Sequence, residues 1–134
     1  MGYKTTGAIQ GAPSVRDITA AKTLTLEESG TVFIMNAAVG VAISLPAIAG
    51  SEGAYYKFIL GQDSITTDWT IVAASAVIEG SALNAGLVAL FANETTLSLE
   101  LGVHTLGDWI EVTSDGTQWH AWGVASVAAS WTAA

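Results

Sequence analysis

Cysteine is absent from this chain of 134 residues, which removes a disulfide framework, a thiolate nucleophile and a cysteine-ligated zinc from the candidate chemistries. Basic residues are few: Lys4, Arg16, Lys22 and Lys57 stand scattered against 12 acidic residues, for a net charge of -8. Binding nucleic acid requires a clustered basic face, so the composition argues against that partner. The acidic excess favours a partner with basic or neutral patches. Long apolar runs are missing as well. Nothing approaches the ~20 residues that span a bilayer, and the opening MGYKTTGAIQGAPSVRDI has no apolar core of a signal peptide. The sequence therefore reads as a soluble protein made in a cytoplasm, with no membrane partner.

Charge of either sign is scarce. Charged residues make up 12% of the chain and hydrophobic ones 51%, where a soluble domain usually carries ~25% charge. Small residues must then occupy surface that most proteins give to Lys and Glu. Part of that surface is expected to be buried in an assembly; the alternative is a small-residue surface without a partner.

Motifs for catalysis or cofactor binding are also lacking. His104 and His120 are the only imidazoles and sit in no metal-ligand spacing, and no G-x-S-x-G elbow or phosphate-binding glycine loop occurs. Asp63 and Asp68 flank GQDSITTD, a segment able to offer oxygen ligands to a hard cation, but without a calcium-loop pattern. The expectation is no enzyme, no catalytic residue, no cofactor and no metal.

What is present is strand grammar. Leu24 and Leu26 alternate with threonines; Val32, Phe33 and Ile34 suit a strand over 31–37; Val41, Ile43 and Leu45 alternate before Pro46. YYKFIL (55–60), WTIVA (69–73) and Leu97, Leu99 and Leu101 continue the pattern. In GDWIEVTSDGTQWHAWG (107–123), Ser114-Asp115-Gly116 marks a hairpin turn, with Ile110 and Val112 on one face of its first arm and Trp109 and Glu111 on the other. Residues 74–92 are the least readable, with a short helical turn over 82–91 set against a strand or loop. The expected fold is all-β: an antiparallel β-sandwich or jelly roll of about eight to ten short strands. Its divisions are an extended N-terminal arm over 1–21, a sandwich over 22–124 and a C-terminal tail over 125–134.

Five tryptophans are the one enrichment. Trp69, Trp109 and Trp119 read as core or interface. Trp131, in a tail of small residues, is expected to dock into a neighbouring subunit.

The stretch DITAAKTLTLEESGTVFIMNAAVGVAISLPA, followed by YYKFIL, WTIVAA and GDWIEVTSDGTQWHAWG, resembles a group of small β-rich tailed-phage virion proteins. Residues 17–73 and 107–123 carry the likeness. It implies a capsid decoration (cement) protein on the outer surface of the virion, assembled in the host cytoplasm. Such a protein would bind the major capsid protein lattice as a homo-oligomer, expected to be a trimer, and would stabilise the head. The alternative is a tail-fibre or appendage module that binds host-surface glycans. The expected partner or protomer contacts are Tyr3, Ile9, Val15 and Arg16 of the arm, with Trp122 and Trp131.

Overall fold

Strict alternation fixes the centre of the molecule. In β3 (Thr31–Met35) and β5 (Tyr55–Leu60) every second side chain is buried: Thr31, Phe33 and Met35 in one, Tyr56, Phe58 and Leu60 in the other. That period of two leaves each strand one face for the core. The computed structural model describes residues 13–62 and 66–134, and in them two sheets pack face to face around one core.

Between Ser14 and Val72 the chain winds from sheet to sheet. β1 (Ser14–Ile18), β3 and β5 lie side by side and parallel in the larger sheet. β2 (Lys22–Thr23), β4 (Ala42–Ser44) and β6 (Trp69–Val72) lie side by side and parallel in the smaller one. Parallel neighbours need a long crossover, most often a helix; here the strand in the opposite sheet supplies it. The antiparallel expectation therefore needs correction. Five of the ten pairings among the described residues are parallel, and both sheets are mixed. The twelve strands also exceed the eight to ten expected.

The remaining strands close the sandwich. β7 (Ile78–Asn84) and β8 (Leu87–Glu94) form a hairpin whose two-residue turn places Ala85 and Gly86 at positive φ, the geometry of a tight turn matched to strand twist. β9 (Thr96–Leu99) pairs with β6 in the smaller sheet. β10 (Trp109–Ser114) and β11 (Trp119–Ala125) form the hairpin legible in the sequence and insert between β5 and β7. β12 (Trp131–Ala133) pairs with β9. The larger sheet runs β1-β3-β5-β10-β11-β7-β8 and the smaller β12-β9-β6-β4-β2. At the β11–β7 contact, a side chain on Gly80 would meet the Ala121 carbonyl oxygen at 2.0 Å, so only glycine lets the two strands approach.

The core is rich in aromatics. Phe33 stacks on Phe58 with centroids 5.9 Å apart, and Tyr56 lies 6.0 Å from Trp119. Tyr56 satisfies its hydroxyl by donating to the Thr25 carbonyl at 2.6 Å. Trp69, Trp119 and Trp131 are fully buried.

Both termini contribute more than their sequence suggested. Ser14–Ile18, grouped with the arm, forms an edge strand, and Trp131–Ala133, grouped with the tail, forms another. Trp131 has 0% exposure and belongs to its own chain's core, so it cannot dock into a neighbour. Asn84 of the larger sheet holds it there. Its side chain donates to the Trp131 carbonyl at 2.9 Å and accepts the Trp131 N–H at 3.2 Å.

Candidate functional site

Strands covered on both faces read as continuous hydrophobic runs, while strands with one wet face alternate with polar residues. TVFIM and YYKFIL belong largely to the first kind, yet their outward side chains are only part-buried. Register shows the result. Ile34 lies opposite Ile59, Ile59 opposite Trp109, Trp109 opposite Val124, Val124 opposite Leu83 and Leu83 opposite Val88. These six side chains come from six adjacent strands and form one apolar stripe across the outer face. At about 4.8 Å per strand the stripe is roughly 24 Å long.

A second row runs beside it. Val15 lies opposite Val32, which lies opposite Lys57, and Lys57 lies opposite Glu111. From Glu111 the row continues through Trp122 and Ser81 to Leu90. Val15 is 62% exposed and Trp122 43% exposed. The charges within this row are matched locally. Lys57 Nζ sits 4.4 Å from the centroid of the Trp109 ring, a cation–π contact. Glu111 accepts a hydrogen bond from the Tyr55 hydroxyl at 2.7 Å. Burial, and then the Glu111 carboxylate, push the Tyr55 phenol up to about 12, so it remains a donor at neutral pH. A polar rim of Tyr55, Thr113, His120 and Glu79 follows on one side.

The hairpin turn that carries this face is pinned by Asp115. Its carboxylate accepts from His120 Nε2 at 2.7 Å and from the Thr117 and Gln118 N–H groups at 2.8 and 2.7 Å. The His120 bond first, and then the two backbone bonds, hold the Asp115 carboxyl well below the usual carboxylate range. His120 thus braces a turn.

The sequence candidates separate. Val15 and Trp122 lie in the same row of the outer face. Arg16 does not: it is at the β1 edge, 3.5 Å from Glu28, which Lys22 also reaches at 2.9 Å. Tyr3 and Ile9 lie outside the described residues, as does Asp63. Asp68, the other half of that candidate cation pair, accepts the Leu101 N–H at 2.7 Å and fastens a loop. Among the described residues no group of three or more His, Asp or Glu could hold a metal ion, and no helix is long and apolar enough to cross a membrane. His104 lies near Asp108; burial pushes the Asp108 carboxyl up against the pull of the Thr105 and Ser126 N–H groups and of His104.

No family model, curated protein or solved structure matches this chain. The outer face must therefore be interpreted from its own chemistry.

Sequence reasoning missed Ile34, Ile59, Leu83, Val88, Leu90 and Val124 as surface residues. The signal was present in the runs TVFIM and FIL, which are apolar at both strand parities.

Proposed function

We propose that this protein is a non-enzymatic structural component of a phage virion, a capsid decoration protein that binds the major capsid protein lattice through the outer face of its larger sheet. The observation that carries the reading is the apolar stripe from Ile34 to Val88, part-buried along most of its length, together with the exposed Val15, Trp122 and Leu90 of the row beside it, because a sizeable apolar patch on a monomer commonly marks an interaction surface. The sequence resemblance supplies the setting, and the shape suits it: a broad face with locally matched charges can lie on a protein lattice without selecting a small ligand. Many copies bound side by side would stabilise the shell through repeated modest contacts.

One observation favours a second reading. Trp122 is exposed beside the polar groups of His120 and Glu79, an arrangement able to stack on a sugar and bond its hydroxyls. That would make the protein an appendage module for host glycans.

Cosedimentation with empty shells lacking the protein separates the two. The capsid reading expects saturable binding in a fixed ratio, weakened at least about tenfold by Trp122→Lys. Absence of binding, together with a change in tryptophan fluorescence on adding sugars, would move the assignment to the glycan module.

A further inference from the structure

We infer that β8 is a self-pairing edge and that two copies join through it about a two-fold axis at Ala89, merging their larger sheets. The inference does not depend on the capsid reading, since pairing is a property of the free protein.

Exposure gives the first reason. Among the described residues β8 is the last strand of its sheet, and Leu87, Val88 and Leu90 are 66%, 64% and 79% exposed. Long apolar edges are normally blunted, because their free backbone groups invite another strand. Here the free groups coincide with the exposed side chains. The two-residue turn makes Asn84 and Leu87 a hydrogen-bonded pair, so by alternation Ala82–Ala89 is hydrogen-bonded while Leu83–Val88 and Ser81–Leu90 are not. The N–H and C=O groups of Val88 and Leu90 therefore point away from β7 to the open side.

Self-complementarity identifies the occupant as a second copy. If Val88 and Leu90 supply the bonds, an antiparallel two-fold pair puts Val88 opposite the other copy's Leu90 and Ala89 opposite Ala89. Ala89 then occupies the closer, non-hydrogen-bonded position, where a small side chain fits. On the inner face Leu87 meets Phe91 of the second copy. This contact lies at the mouth of a cavity of about 350 Å³ lined by those two residues with Trp131 and Ala133.

Charge supports the same occupant. The chain carries -8 overall, yet residues 80–93 contain no charged side chain, so two copies meet where their acidic surfaces do not oppose. Glu94 lies beyond a bulge at the far end of β8, so the two Glu94 residues stand roughly 30 Å apart along the pair. A head-to-tail contact is disfavoured: the β1 edge would bring exposed Arg16 and Asp17 against Leu87 and Val88. The assembly is then a two-fold pair rather than the trimer expected from the sequence. It also runs the stripe of each copy, through Val88 opposite Leu90, into the second row of the other.

A cysteine-free chain makes the test direct. Ala89→Cys can form a disulfide only between copies, and a non-hydrogen-bonded pair places the two Cα atoms about 4.5 Å apart, within disulfide reach. Mild oxidation should convert most of the variant to a species of twice 13.7 kDa, while Ala92→Cys, about 20 Å from its own copy in this register, should remain monomeric. Leu90→Asp, at an exposed site, should weaken self-association of the reduced protein at least about tenfold by sedimentation equilibrium. Equal crosslinking of both cysteine variants, a Leu90→Asp protein that associates like wild type, or a wild-type monomer up to about 1 mM would each overturn the inference. Association that is lost in Leu90→Asp while the Ala89→Cys variant fails to crosslink would overturn it too, by assigning the edge to a different occupant.

Discussion

The two open sides of the sandwich are built in opposite ways. One side, formed by β1 and β2, bears Arg16, Asp17 and Lys22, with Glu28 gathering both cations. β2 is only two residues long. The other side, formed by β8 and β12, exposes an eight-residue strand with Leu87, Val88 and Leu90 uncovered. Short strands and charge are the ordinary means of preventing edge-to-edge association. β8 is long and carries no charge before Glu94, so the β1–β2 side is the one arranged to remain single.

The comparison can be broken most severely at Trp131, which holds the apolar side together from within. Trp131→Ala should cost about 3–5 kcal/mol of stability in urea titrations. Trp131→Phe should cost much less, because the indole N–H has no acceptor among the described residues and its removal relieves a buried unsatisfied donor. Equal losses for the two variants would show that the indole itself, and not its volume, is what the site needs.

Next in size is Asn84→Ala. It removes both side-chain hydrogen bonds to Trp131 and should destabilise by about 2 kcal/mol. Hydrogen exchange should increase at β12 before it increases at β3 or β5. Uniform exchange would mean that the smaller sheet does not open separately on this side.

The charged side is expected to be more forgiving. Glu28 caps the 3-10 turn at Leu26–Glu28 by accepting from the Thr25 N–H at 3.0 Å. Glu28→Ala should cost about 1 kcal/mol, with Glu28→Gln restoring most of the capping bond. If Ala and Gln behave alike, the pairing with Arg16 and Lys22 is the larger contribution, and the loss should then shrink with added salt.

The smallest effect concerns the face shared by both sides. The Tyr55 pKa is raised, to about 12, so the folded state favours the protonated phenol. Its contribution is complete below the unfolded tyrosine value near 10 and is lost as pH rises through about 12. Stability measured against alkaline pH should flatten in Tyr55→Phe. An unchanged slope would assign the dependence to another group.

Much of the fold was legible because most strands have one buried face. Tyr55–Leu60 matches its expected bounds, and Trp69–Val72 and Thr96–Leu99 match within one or two residues. The β10–β11 hairpin also followed from its alternation and its Asp-Gly turn. β7 and β8 were obscure because Leu87 to Ala92 is apolar at both parities, so it shows neither a strand period nor a helical one. The candidate surface was legible only in Val15 and Trp122. Trp131 was misread because a three-residue strand among small residues has no local pattern, and its burial depends on Asn84 47 positions away.

By itself the sequence determined that this is an all-β protein without cysteine chemistry and with too little charge for its surface. Those conclusions rest on composition and on a period of two, both of which are local. The tertiary structure decided that neighbouring strands run parallel as often as antiparallel, that six outward side chains align into one stripe, and that one edge is charged while the other is apolar. Each of these depends on register between strands far apart in the chain. Strand periodicity says which way a side chain points but not which strand lies beside it.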